Sequence, residues 1–180
     1  NDLYCAKLKG EKLSDEEKIS GDVDLFEISL NGQYVYYIKD YDNSDDVGSL
    51  FCYKVGAKEP VKVSADVACW RFSDYGGYLY ANISTDGASI FFLKELESIS
   101  GSYTEQGTLT AWSYKSGERT KITGDVISFS ADSGFETSEV NPRGFVFMKN
   151  GSVDSKGNVT GDWYYYNGKE AVKFASEVYD

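Results

Sequence analysis

One thirteen-residue run sets the terms for the whole chain: Ile28-Ser-Leu-Asn-Gly-Gln-Tyr-Val-Tyr-Tyr-Ile-Lys-Asp40. It reads as a strand end, an Asn31-Gly32 turn, and a second strand of alternating large residues. Asn-Gly between β-rich runs is a strong hairpin signal, because a two-residue turn of this kind needs positive φ at both positions. The run returns as Ile83-Ser-Thr-Asp-Gly-Ala-Ser-Ile-Phe-Phe-Leu-Lys-Glu95, and more loosely as Val140-Asn-Pro-Arg-Gly-Phe-Val-Phe-Met148. A chain that repeats its hairpin must fold as an array of like units.

Two further landmarks recur with the hairpin. Gly21-Asp22-Val23, Ala65-Asp66-Val67, Gly124-Asp125-Val126 and Ser176-Glu177-Val178 place their acidic residues at steps of 44, 59 and 52. A glycine turn follows an aromatic strand at Lys9-Gly10, Val55-Gly56, Ser116-Gly117 and Asn167-Gly168. Periods near 40–50 with several short strands per unit are those of propeller blades. The expected fold is all-β, with about three and a half four-stranded antiparallel units in a partial or open propeller. A half unit covers 1–21, and full units cover 22–65, 66–124 and 125–180, within a single repeat domain.

In the best copy, strand A is Asp24–Ser29, B is Tyr34–Lys39, C is Ser49–Val55 and D is Pro60–Ser64, with a loop over Asp40–Gly48. In the half unit, Leu3–Leu8 matches C and Glu16–Ser20 matches D, joined by an acidic turn over Gly10–Glu17 that has room for a helical turn. The second unit carries an insertion, with a turn at Asp74–Gly77 and a strand over Tyr78–Ile83. Its B–C connection, Leu96–Gly107, is long and polar. In the last unit, Ser130–Glu139 reads as a loop, and so does Asn150–Asp162. Both faces of strand B are apolar, as in a sheet packed between two neighbours.

Composition excludes several functions. The chain has 18 basic and 29 acidic residues, net charge −11. That field repels phosphate backbones and anionic lipid, so nucleic acid is not an expected partner. There is no histidine, which removes Ser-His-Asp and Cys-His catalysis and any His-ligated metal within this chain. Cys5, Cys52 and Cys69 form neither a disulfide framework nor a zinc site; Cys5 and Cys52, at the same place in Leu-Tyr-Cys and Leu-Phe-Cys, read as small buried core residues, with a disulfide as the alternative. No apolar run is long enough to span a membrane, so membrane insertion within this chain is not expected. No signal peptide is read within Asn1–Asp180, so any targeting segment is expected to have been removed or to lie outside it.

The hairpin core, the Gly-Asp-Val link, the polar loop and the Gly-x-Leu-x-x-Tyr of strand C together resemble TolB-like β-propeller repeats. Ile28–Tyr37 and Ile83–Phe92 match that pattern without its proline. Val140–Met148 matches with Pro142 but has Arg143 in place of the acidic residue. The Tyr-rich form, with 15 tyrosines, resembles propellers of Gram-positive surface proteins. The resemblance implies an extracellular or cell-envelope location and covers nearly the whole chain. It implies architecture far more strongly than activity, because such propellers serve as binding platforms, scaffolds and enzyme accessory domains.

The candidate site is acidic. In a four-stranded blade the D-to-A links and B–C loops share one end, which gathers Asp22, Asp40, Asp42, Asp45, Asp46, Asp66 and Asp125, with Glu95, Glu97, Glu105 and Asp154 near the same rim. Such a rim attracts a basic or metal-bridged partner. The structural alternative is that the aspartates serve turns and caps. Asp40, Asp42 and Asp45 have the oxygen density of a calcium loop, but the glycine and final acidic residue of an EF-hand are missing, so this is at most a weak Ca2+ site. No catalytic residue, metal site or cofactor is otherwise assigned, and no phosphate loop, nucleophile elbow or dinucleotide fingerprint occurs. Trp70, Trp112 and Trp163 read as buried blade-packing residues.

The expected function is therefore a non-enzymatic binding or scaffold module that presents loops to a protein or small ligand. The alternatives are an accessory, substrate-gating propeller of a larger enzyme, and a carbohydrate-active enzyme using two carboxylates. Closure needs at least about four blades. Leu3, Tyr4, Leu8 and Ile19 at one end and Val172, Phe174 and Val178 at the other are then expected to meet missing blades or a second copy.

Overall fold

A computed structural model describes residues 1–73, 76–129 and 144–179, and every described element is a β-strand. The chain divides into two compact units, Asn1–Leu79 and Tyr80–Asp180. In the first, β1 (Leu3–Lys9) and β2 (Lys12–Ser20) form a two-stranded sheet. β3 (Val23–Ile28), β4 (Tyr34–Asp42), β5 (Val47–Lys54) and β6 (Val61–Ser73) follow as an antiparallel meander, with β7 (Gly76–Leu79) paired to the end of β6. The second unit runs in sequence order through β8 (Ala81–Ile83), β9 (Ser89–Ser98), β10 (Glu105–Ser113), β11 (Arg119–Phe129), β12 (Phe145–Val153), β13 (Val159–Tyr166) and β14 (Ala171–Tyr179). Apart from β2–β3 and β7–β8, sequence-neighbouring strands pair, as expected for hairpin-linked repeats.

The two Asp/Asn-Gly hairpins are built alike, and not as two-residue turns. Only Gly32 and Gly87 have positive φ, at 66° and 71°; Asn31 and Asp86 do not. The Gly32 N–H donates to the Ser29 carbonyl at 2.8 Å, and the Gly87 N–H to that of Ser84 at 2.8 Å. The Ser29 hydroxyl donates to Asn31 Oδ1 at 2.8 Å and accepts from the Tyr34 N–H at 3.0 Å. Asn31 Oδ1 in turn accepts the Gln33 N–H at 3.0 Å. Ser84, Asp86, Ser89 and Ala88 repeat these bonds at 2.7, 2.9 and 3.0 Å. The side chain at the Asn/Asp position holds the turn, so that residue keeps ordinary backbone angles and glycine alone takes the left-handed one.

Several expected loops are strand. β4 runs on to Asp42 and β5 starts at Val47. β9 reaches Ser98 and β10 starts at Glu105. The acidic stretch Gly10–Glu17 holds no helical turn: Lys9 pairs directly with Lys12, so the connection is Gly10-Glu11. In the insertion, two short strands stand where one was expected, β7 and β8 on either side of Tyr80. Asp74, Tyr75, Ser130–Glu139 and the first half of the third hairpin lie outside the described residues.

In the first unit a core forms where β1 and β2 cover one face of the meander. Val23, Val35, Tyr37 and Tyr53 are buried there against Leu3, Cys5, Ile19, Phe51 and Ala57. On the opposite face Tyr36, Ile38, Leu50 and Cys52 are wholly buried, so both faces of β4 are apolar as its pattern requires. In the second unit Ile99, Ile127 and Met148 pack against Val153, Val159 and Trp163. Trp112 is buried, but Trp70 is 45% exposed, which corrects the expectation that every tryptophan packs inside. At the ends, Leu3 and Ile19 join the first core, whereas Tyr4, Leu8, Val172 and Phe174 are exposed.

Candidate functional site

Gly21-Asp22 is the short link between β2 and β3, but the later copies of this landmark lie within strands. Asp66 lies inside β6 and Asp125 inside β11, each in the left-handed region, at φ 52° and 58°. Asp22 (55°), Asp40 (55°), Glu95 (57°), Asn150 (60°) and Glu177 (52°) share this conformation. Asp and Asn enter it more readily than most residues. One such residue bends a strand without ending it, so the ladder continues with a shifted register. Register shifts follow at Lys39/Asp42, Gln106/Thr108, Gly107/Leu109, Lys149/Ser152 and Gly161/Trp163.

The bulges line up across strands. In the first repeat Val23 pairs with Lys39, Lys39 with Ser49, and Gly48 with Val67. Asp22, Asp40 and Asp66 therefore sit at one level around Gly48. The second repeat sets Glu95, Gly107 and Asp125 at the same level, since Thr108 pairs with Lys94 and Gly107 with Val126. The third sets Asn150, Gly161 and Glu177, since Lys149 pairs with Asp162 and Gly161 with Val178. The central glycine has a steric cause. An added Cβ would stand 3.1 Å from the carbonyl oxygen of Lys39 at Gly48, 2.8 Å from that of Lys94 at Gly107, and 3.0 Å from that of Lys149 at Gly161. The bulge pushes its preceding carbonyl over the next strand, and only glycine fits beneath.

The acidic side chains at these bulges, Asp22, Asp40, Asp66, Glu95, Asp125 and Glu177, are all exposed. Within the first unit, Asp42, Asp45 and Asp46 join Asp22, Asp40 and Asp66 at the same end. Their carboxylates are differently employed. Asp42 accepts from the Ser44 hydroxyl and from the Ser44 N–H at 2.9 Å, which holds its carboxyl below the usual range. Asp46 accepts from the Tyr41 hydroxyl, and the Tyr41 N–H donates to Asp24 at 3.2 Å. Among the described residues no three carboxylate or thiol groups stand close enough together to hold a metal ion. At the corresponding turn of the last repeat, Asp154 accepts from the N–H groups of Asn158 (2.9 Å) and Lys156 (2.7 Å), which lower its carboxyl in the same way. Turn capping thus uses Asp42 and Asp154, while the bulge acids face solvent.

Three groups that the motifs did not single out as ionisable sites are strongly perturbed. Burial pushes the Cys52 and Cys69 thiols up to about 12, so neither is a nucleophile at neutral pH. Burial also pushes the Glu27 carboxyl up to about 7. Glu27 pairs with Tyr36 across β3 and β4, and Tyr36 with Cys52, so this half-buried carboxyl stands beside two wholly buried residues. The only sequence signal for it was polarity at an apolar position of strand A.

Neither a family model nor a curated protein sequence matches the chain. Solved structures do. The chain is similar to the β-propeller domain of the Trilobed protease from Pyrococcus furiosus, at 10% identity and TM-score 0.54, over 98% of this chain and 53% of that one. It is also similar to the Pyrococcus horikoshii acylaminoacyl peptidase, at 13% identity and TM-score 0.53, over 98% of this chain and 30% of that one. An acylaminoacyl peptidase in complex with Z-Gly-Gly-Phe-chloromethyl ketone gives 12% identity and TM-score 0.51, over 98% and 30%. The fold is that of β-propeller repeats, about three and a half antiparallel blades. The chain spans about half of the Pyrococcus furiosus propeller chain and under a third of the two peptidases.

Proposed function

We propose that this chain is a TolB-like, non-enzymatic binding or scaffold module of the cell envelope or secreted space, and that the acidic end of its blades receives a basic protein segment or a small cationic ligand. The row of exposed carboxylates at Asp22, Asp40 and Asp66 carries the reading. Three like charges held side by side on rigid bulges repel one another, and a cation relieves that repulsion. The probe is an oligolysine peptide, with binding followed by calorimetry at low and at physiological salt. The variant Asp22→Asn/Asp40→Asn/Asp66→Asn is expected to lose the salt-dependent part of binding. Equal binding by the variant and the parent would overturn the assignment.

A second reading has its own support. The structures it resembles include the propeller domain of a protease and two peptidases, each longer than this chain. On that reading the module is an accessory, substrate-gating propeller of a larger enzyme. Full-length sequencing of the gene product decides: a hydrolase domain beside the repeats supports it, and repeats alone reject it.

A further inference from the structure

The three repeats pair their B, C and D strands in corresponding registers, and one position breaks their pattern. In the first, Tyr37 pairs with Phe51 and stacks on it, with ring centroids 5.4 Å apart at 12°. In the third, Phe147 pairs with Tyr164 and stacks at 5.5 Å and 13°. In the second, Phe92 pairs with Thr110. A ring in two repeats is a threonine in the third case.

The lysines around that ring do not change. Lys39 and Lys62 lie 6.0 and 5.7 Å from the Phe51 centroid, and Lys149 lies 5.6 Å from that of Tyr164. Such contacts give a lysine ammonium an aromatic face to rest on. Lys94 and Lys121 hold the equivalent places in the second repeat, opposite Thr108 and Thr110, but have no ring between them. A cavity of about 210 Å³ stands there instead, lined by Lys94, Glu95, Thr108, Thr110, Arg119 and Lys121. Arg119, paired with Trp112, takes the place that Ala171 has beside Tyr166 in the last repeat. The middle repeat has thus lost the ring and gained a cation.

Charge within the cavity is uneven. Lys94 pairs with Glu95 at 2.9 Å. Among the described residues neither Arg119 nor Lys121 forms an ion pair, although the Glu95 carboxyl, held below its usual range by hydrogen bonds from Lys94 and Thr108, also feels the Lys121 charge. Three cations against one carboxylate leave a local excess of positive charge in a chain whose net charge is −11. Buried threonines form the floor.

We infer that this cavity binds a phosphate or sulfate group, free or esterified to a small sugar. Arg119 offers a fork of N–H donors, Lys121 a point charge, and Thr110 a hydroxyl donor, while the Thr108 hydroxyl is engaged by Glu95; this is a donor set for a tetrahedral oxyanion. The site lies on the B–C–D strands of the middle blade and is independent of the acidic row.

Amide NMR shifts during titration with inorganic phosphate, inorganic sulfate, glucose 6-phosphate and glucose test this. Saturable shifts at Thr108, Thr110 and Lys121 with an oxyanion, and none with glucose, are expected. Tighter binding of glucose 6-phosphate than of phosphate would assign the esterified source, and the reverse the free ion. Arg119→Ala and Lys121→Ala should each weaken binding about tenfold. Thr110→Tyr should restore the ring of the other repeats and abolish binding. Its fold is checked by the amide spectrum, and Arg119→Gln serves as a second, surface-only variant. No saturable shift with any oxyanion, or undiminished binding by Thr110→Tyr or Arg119→Gln in a folded protein, would overturn the site.

Discussion

A Cβ on Gly107 would stand 2.8 Å from the carbonyl oxygen of Lys94, one strand away. Real Cβ atoms do not approach a backbone oxygen so closely, and the oxygen cannot rotate aside as a side chain would. Gly107→Ala should therefore destabilise the protein by about 1–3 kcal/mol, the usual cost of overpacking. Gly32→Ala, where a Cβ meets nothing within 4 Å but φ is +66°, should cost about 1 kcal/mol from backbone strain alone. Urea denaturation of both variants checks the order; a smaller loss at Gly107 than at Gly32 would refute the steric account.

The bulge aspartates make a separate prediction. Asp125 has φ 58° and an exposed side chain. Asp125→Asn should change stability little, because Asn tolerates the same region. Asp125→Val should cost about 1–3 kcal/mol, since a β-branched residue at positive φ is strained. Equal melting temperatures for the two variants would show that the bulge relaxes to ordinary angles at no cost.

Glu27 gives the protein a pH dependence of definite sign. Burial raises its carboxyl from 4.5 to about 7 in the folded chain. Between those values the folded state keeps a proton that the unfolded state has released. Its contribution is thus fully present below pH 4.5 and is lost as pH rises through 7. Glu27→Gln should remove that slope and stabilise the protein at pH 8 by at most about 3 kcal/mol. Parallel stability curves for parent and variant between pH 5 and 8 would rule this out.

Cysteine reactivity should be graded. Cys5 is half-buried, whereas Cys52 and Cys69 are buried with thiols pushed up to about 12. Iodoacetamide at pH 8 should modify Cys5 first and the other two only on unfolding. Mass mapping that finds Cys52 or Cys69 labelled as fast as Cys5 would contradict the burial described.

What the sequence determined by itself was local. The Asn/Asp-Gly hairpins, the repeat period and the recurrence of the Gly-Asp-Val landmark were legible, because each depends on turn chemistry within a few residues; the turn type and the left-handed conformation of the acids were not. The tertiary structure decided whether a polar stretch breaks a strand or bends it. Asp66 reads as a link between strands, yet β6 runs through it: Leu50 pairs with Ser64 and, after a register shift, Gly48 pairs with Val67, so the ladder with β5 resumes beyond the bend. The same holds for the vacancy beside Thr110. One threonine in a strand is unremarkable in sequence; its meaning comes from Phe92, Lys94 and Lys121, which pairing brings from strands on either side. Cross-strand register joins residues too far apart for local propensity to couple them, and it is there that the cavity and the half-buried Glu27 arise.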